Sequence, residues 1–483
     1  MLRNTPSNLL IATLSASILL AACTNEKYQA KPINQQHTAA KIFAKDPLSA
    51  DFKAYLIKQG YQEGELPFTS WDLNELTLSA LYHHPKLDIA KAQLALANAQ
   101  LKTASQKQNP TLSGSIARSN QANEDIRPWA YGLNVEIPIQ TAGKRQIRVE
   151  EAQHLQEIAR IDVADAAWQL RSQIAKDLLR YHENIARQKL LQQEIGKQTD
   201  IINMLEKRVA LGMLSNTDVL ASKLLLQAKK NAFDAEQAAS QEISISLATD
   251  AGLTLEKFNQ IAIKPMEIDA RLDKQTQTLA PDTLKNLQGK ALLNRLDIRR
   301  GLEKYAVAEA KIKLEVAKQT PDIAITPGFI FEFGDKIWSL GFASLLNLLN
   351  KNQTLIAEAT QLREVEGAQF EALQANVISS LSQAYARLVA AQQNLIKAKQ
   401  QQAAQQTYLQ KLNNQFAAGA LDKLELSQAA VQTQLVDAQV LATQFEALKA
   451  ASEIEDILQI PLSENQPPFD NILSWIKSRS TDE

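Results

Sequence analysis

The sequence predicts a mainly α-helical chain with a small β part, laid out as two tandem repeats of helix, strand pair, very long helix and helix. Three observations predict it. The same landmarks return after about two hundred residues, two long stretches lack proline, and four short segments alternate large apolar with small or polar residues.

The repeat is the broadest signal. Leu87-Asp88-Ile89 returns as Leu296-Asp297-Ile298, and Asn109-Pro110 corresponds to Thr320-Pro321. Gly143-Lys144-Arg145-Gln146 corresponds to Asn350-Lys351-Asn352-Gln353, and Val209-Ala210-Leu211-Gly212 to Phe416-Ala417-Ala418-Gly419. The separations are 209, 211, 207 and 207 residues. The resulting layout is a leader at 1–22, an extended segment at 23–70, a first repeat at 71–251, a linker at 252–280, a second repeat at 281–462 and a tail at 463–483.

The long helices follow from composition. No proline occurs between Pro138 and Pro265, or between Pro327 and Pro461. Across 144–211 the only glycine is Gly196, and across 351–418 it is Gly367; Ala, Leu, Gln, Glu, Lys and Arg, all good helix formers, dominate both. Leu381, Ala384, Leu388, Ala391, Leu395 and Ala398 recur by threes and fours, as along a coiled-coil seam. A helix of about 65 residues spans on the order of 100 Å, far more than a globular domain needs. A soluble coiled coil satisfies this pattern equally, so the strands decide.

In the first repeat, residues 111–118 and 129–137 read as strands. Trp129, Tyr131, Leu133, Val135 and Ile137 alternate with Ala130, Gly132, Asn134 and Glu136. In the second, Ile323, Ile325, Phe329, Phe331 and Phe333 share one phase, and Trp338, Leu340 and Phe342 share another. Turns are expected at 120–127 and at Gly334-Asp335-Lys336. Everything else is helical, so nothing in the chain is left to cover the apolar faces. Nine residues rise about 30 Å, or ~21 Å when tilted, close to the apolar band of a membrane barrel. Trp129, Tyr131 and Trp338 are expected near strand ends, where interfacial aromatics belong. Four strands leave open edges that lipid cannot satisfy. Several chains must therefore close one barrel, and three would supply twelve strands.

The ends and the composition narrow the function. Arg3, the apolar run at 9–20 and Leu20-Ala21-Ala22-Cys23 have the layout of a signal peptide ending in a lipobox. Cys23 is the only cysteine, which excludes an intrachain disulfide framework. A plain secretory signal that ignores Cys23 is the competing reading. A net charge of -1 gives no field for nucleic acid. No nucleophile–base constellation or phosphate-cradling loop is present, so neither catalysis nor a cofactor is supported. His83-His84 lacks the acidic or cysteine neighbours of a metal site and reads as a structural or solvent-exposed pair before Pro85.

Three segments carry a family resemblance: HHPKLDIAKAQLALANAQL, LNVEIPIQTAGKRQIRVEEAQ and PDIAITPGFIFEFGDKIWSLGFASLLNLLNKNQTLIAEA. In order, spacing and duplication they resemble the TolC-like outer membrane factor family, and the last two look most like its cation-efflux (CzcC-like) and related resistance-pump branches. The resemblance implies a homotrimer with a twelve-stranded barrel in outer-membrane lipid above a helical tunnel through the periplasm. It implies two partners, a periplasmic adaptor and an inner-membrane pump of the resistance-nodulation-division type, and a passive channel rather than an enzyme. Thr24 after Cys23 fits outer-membrane sorting of a lipoprotein. One departure is Leu345-Leu346, where family members often carry proline.

Each glycine break carries candidate functional residues. The first turn holds Arg208, Val209, Leu211, Gly212, Ser215 and Asp218; the second holds Phe416, Gly419, Leu421, Asp422 and Glu425. By resemblance these are the tips that meet the adaptor. Glycine permits the left-handed conformation at a helix end, and Asn216, Asp218 and Asp422 offer capping oxygens; helix capping alone explains the same residues. Asp422, Glu425 and Asp437 are candidates for an acidic ring at a lumen constriction, against the reading of a solvated helix face. A type I protein-secretion outlet of the same fold, and a soluble periplasmic adaptor or coiled-coil scaffold, are the alternative functions.

Overall fold

The structure, a computed structural model, describes residues 27–120, 128–279, 284–332, 334–344 and 350–461. The expected leader, Cys23, residues 463–483, Phe333, Leu345-Leu346 and nearly all of the expected first strand turn lie outside the described residues. The chain divides into two units, Met1–Ala44 and Lys45–Glu483. In the first, helix α1 (Gln35–Phe43) is capped by Asn34 and buries no side chain.

The second unit opens with α2 (Ala50–Lys58), α3 (Leu73–His83) and α4 (Pro85–Ser105), followed by β1 (Thr111–Arg118) and β2 (Trp129–Ile139). Then come α5 (Lys144–Ala210) and α6 (Asn216–Asp250). Between the repeats lie α7 (Leu255–Phe258) and α8 (Ile268–Leu279). The second repeat runs through α9 (Leu284–Asn294), α10 (Leu296–Ala317), β3 (Ile323–Glu332), β4 (Asp335–Ser344), α11 (Gln353–Ala417) and α12 (Lys423–Leu458). The long helices thus stand where their landmarks put them, at 67 and 65 residues. The linker is more ordered than its composition suggests: Trp71 and Ile263 form a parallel bridge, and α8 fills its end.

Each repeat supplies most of one core, with Leu179 of α5 and Leu272 of α8 joining the second. In the first, Leu76 and Leu78 of α3 pack with Ala167, Leu170 and Ile174 of α5 and Leu247 of α6. In the second, Leu287 and Ala291 of α9 pack with Leu381, Ala384 and Leu388 of α11 and Phe445, Leu448 and Ile454 of α12. The expected seam is present: Leu381, Ala384, Leu388, Ala391 and Ala398 are buried, and Leu395 is partly so. Alanine at alternate seam positions lets the helices approach closely and interlock.

The four strands form one antiparallel sheet in the order β1-β2-β3-β4. β4 starts at Asp335, and Asp335 and Lys336 pair with Glu332 and Phe331. They are therefore ladder residues rather than turn residues. The hairpin is tighter than expected because Gly334, at φ +117°, reverses the chain where other residues would be strained.

Gly252 ends α6 at φ +75°, with its N–H bonded to Thr249 O and that of Leu253 to Ala248 O, both at 2.8–2.9 Å. A Cβ there would sit 2.8 Å from backbone atoms of His83 and His84, whereas one on Gly212, at φ +72°, would meet nothing within 4 Å. Gly212→Ala should therefore lose only the left-handed backbone term, about 1–2 kcal/mol. Gly252→Ala should lose clearly more, because α3 must also move. Denaturant-midpoint shifts check this; equal losses would show that the close approach costs nothing.

Candidate functional site

The two glycine breaks lie side by side. Each ends its long helix with the paired backbone bonds of a left-handed cap. Gly212 N–H donates to Val209 O and Met213 N–H to Arg208 O, both 2.9 Å. Gly419 N–H donates to Phe416 O and Ala420 N–H to Gln415 O, also 2.9 Å. Asp422 caps α12 as expected, accepting from Leu424 N–H at 3.0 Å. The α6 cap differs from expectation. Ser215, not Asn216 or Asp218, accepts from Thr217 N–H, because Asn216 already begins the helix. Asp218 lies in the first turn, where its charge opposes the positive helix end.

An ion pair between Arg208 and Asp422 joins the turns, and Ile201, Leu205, Val219 and Leu424 form a small shared core beneath it. Leu211 and Met213 project outward with most of their surface exposed, and Phe416 is partly exposed. Leu421 is half-buried and Glu425 is exposed. Asp437 accepts from Gln402 Nε2 at 2.7 Å. Of the three acids expected to ring a constriction, Asp422 thus has its charge balanced within its own chain, and Asp437 is held by a neutral amide.

The sheet has two unlike faces. Directly paired residues share a face, so the register collects Ile116, Tyr131 and Phe331 together, and likewise Leu133, Phe329 and Trp338. Trp338, Leu340 and Phe342 are 81%, 75% and 86% exposed. Trp338 stands four residues into β4, against the ring of Phe329 at 4.9 Å, further from the strand end than expected. Ser113, Asn134, Gly328 and Ser339 share the opposite face. That face is tight: a Cβ on Gly328 would collide with Asn134 and sit 2.8 Å from Ser339 Oγ, and one on Gly132 would collide with Ser115. Gly132 and Gly328 were not singled out from sequence, although both sit at polar-phase positions flanked by large residues.

Beneath the sheet, buried Lys144 ties the repeats together. Its Nζ donates to Thr320 O at 2.6 Å and Asp322 Oδ1 at 2.8 Å, while Thr141 N–H donates to Asp322 at 2.9 Å. Burial opposes ionisation of Asp322, but these bonds outweigh it and hold its carboxyl below the usual range. The sequence signal was present, since Lys144 recurs as Lys351 and Asp322 follows a repeated proline.

Lower down, a groove of about 800 Å³ runs along α5 and α12. Lys176, Arg180, Glu183 and Arg187 line it, whereas Ala167, Leu170, Ile174 and Leu178 belong to the core shared with α3. The helical period sets these two groups on opposite sides of α5. Ion pairs floor the groove, among them Lys176–Asp456 at 2.7 Å, Lys449–Glu183 at 2.6 Å and Arg187–Glu236 at 3.0 Å. The expected structural role of the histidines is visible: His84 Nδ1 accepts from Lys86 N–H to cap α4, and His83 is buried against Phe52 and Tyr82. No group of three His, Cys, Asp or Glu able to hold a metal occurs among the described residues.

Residues 76–252 match the Outer membrane efflux protein family. No curated protein matches the sequence. The fold is similar to that of the outer membrane protein VceC from Vibrio cholerae, at TM-score 0.63 and 17% identity, over 81% of this chain and 97% of that one. It is similar to the Campylobacter jejuni CmeC outer membrane channel, at TM-score 0.61 and 14% identity, over 94% and 97%. The open state of the Neisseria gonorrhoeae MtrE outer membrane channel gives TM-score 0.61 and 15% identity over 92% and 97%. Over residues 76–252 the chain is thus similar in sequence to outer membrane efflux proteins, and over both repeats it is similar in fold to solved outer membrane channels.

Proposed function

We propose that this chain is the outer-membrane channel subunit of a tripartite efflux system. Three copies join their sheets into a twelve-stranded barrel, and their long helices form a tunnel beneath it. The observation that carries the reading is the exposed apolar face of a sheet with two unpaired edges. Each large side chain left in water forfeits about 1.5–3 kcal/mol, and each open edge leaves backbone groups unmet. Neighbouring copies satisfy the edges and hydrocarbon covers the face. No described helix is long and apolar enough to cross a membrane, so the sheet is the part suited to it.

The wall chemistry supports a passive path. The groove on α5 and α12 carries paired charges of both signs, which keep it wetted without trapping one ion. Exposed pairs of this kind add only about 0–1 kcal/mol each to stability. Discrimination among metal cations or drugs then rests with an inner-membrane pump. A periplasmic adaptor meets the paired turns, where Leu211, Met213 and Phe416 offer apolar contacts. Acylation at Cys23 anchors the mature chain to the outer membrane. Glu425, exposed and outside the Arg208 ion pair that balances Asp422, is the one best able to bias passage toward cations.

Two neighbouring substitutions test the barrel. Leu340→Lys puts a charge on the apolar face and should cost about 2–4 kcal/mol per strand in lipid, abolishing insertion of the assembly into liposomes. Ser339→Lys faces the other way and should insert normally, with conductance shifted toward anions. Equal insertion by both variants would contradict the proposed faces. At the turns, Ser215→Cys should crosslink to the adaptor in intact cells. Absence of crosslinks from both Ser215→Cys and Ala420→Cys would remove the turns as the docking site.

A further inference from the structure

One polar cluster is absorbed neither by the barrel nor by the turns. Asp177, in the middle of α5, is 1% exposed. Its carboxylate accepts from Ser246 Oγ of α6 at 2.6 Å, from Gln173 at 3.3 Å and from Arg180 at 3.1 Å. The carboxyl of Asp250, the last residue of α6, lies against it, and Asp250 Oδ2 is buried with no hydrogen-bond partner. Two carboxyls set against each other need a proton between them.

The second repeat shows that the fold does not require this pair. The 207-residue offset relating Lys144 to Lys351 and Gly212 to Gly419 places Ala384 opposite Asp177 and Ile457 opposite Asp250. It also places Arg387 opposite Arg180 and Glu453 opposite Ser246. There Arg387 and Glu453 pair one to one at 2.5 Å. The first repeat therefore sets two carboxyls against the single arginine that its twin balances with one.

We propose that Asp177 and Asp250 form a proton-operated clamp: one shared proton holds the end of α6 against α5, and its loss loosens that end of the first hairpin. The charged groups facing the pair are Arg180 from α5 and Lys86 from α4, whose Nζ is bonded to Gln169 at 2.7 Å. α6 contributes the neutral Ser246, and α3 contributes Ser79, bonded to Ala251 O at 2.9 Å. Burial and the adjacent Asp177 carboxylate push Asp250 up to about 7, with Lys86 opposing. Burial also disfavours the Asp177 carboxylate, but its hydrogen bonds prevail and hold it below its ordinary value. Because the folded chain holds the Asp250 proton more tightly than the unfolded chain, this contribution is complete at acidic pH and is lost as pH rises through about 7.

Glu75 at the start of α3 is also pushed up to about 7, by burial and by its bonds with Asp72. A global melting curve would therefore mix two groups, and the test must be local. Amide hydrogen exchange of residues 243–252 in the purified full-length chain, corrected for intrinsic rate, should speed up about ten-fold from pH 6 to pH 8, the weight of one pKa unit. Asp250→Asn, which keeps a hydrogen bond without the charge, should abolish the change. So should the double variant Asp177→Ala/Asp250→Ile, which copies the second repeat and keeps the test open if the single variant fails to fold. Glu75→Gln should leave the response in place. A flat response in the unaltered chain, a response that survives both Asp variants, or one removed by Glu75→Gln would each overturn the clamp.

Discussion

A four-stranded antiparallel sheet with an uncovered apolar face and two free edges is the constraint on which the rest of the structure depends. Within one chain it is unsatisfied: β1 and β4 each have one edge without a partner, and the side chains of Trp338, Leu340 and Phe342 stand in the open. In the proposed assembly, closure by other copies meets both deficits at once, because only a closed barrel or a helix leaves no unmet backbone groups in lipid. The crowded polar face fits closure as well. Gly132 and Gly328 leave room for Ser115, Asn134 and Ser339 on that face.

The helices below serve that sheet by duplication. Each repeat pairs a long helix with its returning partner over a buried core, and Lys144 with Asp322 fastens one repeat to the other directly beneath the strands. At the far end the Arg208–Asp422 pair joins the two turns. A seam rich in alanine, from Leu381 to Ala398, gives close, repeated packing along the 65-residue α11. The repeats are not chemical copies, however. Arg387 in one pairs with Glu453 of the returning helix, whereas its counterpart Arg180 pairs with Asp177 on its own helix, and such departures are where regulation can enter a duplicated scaffold.

Much of the architecture was legible because its signals are long. About sixty residues of good helix formers with a single glycine and no proline favour a long helix, and alternation over nine residues shows which strand face is apolar. What escaped depends on atoms brought together from distant positions. Asp422 reads as a helix cap from its neighbours, but its pairing with Arg208 spans the two repeats. Ser215 took the capping role expected of Asn216 and Asp218 because the helix starts one residue earlier than its side chains suggest. The Asp177–Asp250 contact joins residues 73 positions apart and has no local signature. Asp335 looked like a turn residue because it follows Gly334, yet Gly334 alone of the three expected turn residues lies outside the ladder, and Asp335 pairs with Glu332.

The central claim is that one side of this sheet lies against hydrocarbon and the other against water. Nitroxide labels placed singly along residues 337–343, with the protein in liposomes, measure it directly through collision with oxygen and with a water-soluble nickel chelate. The account predicts a period of two, with oxygen favoured at 338, 340 and 342 and the chelate at 339, 341 and 343. Uniform access to the chelate along the whole strand would contradict it.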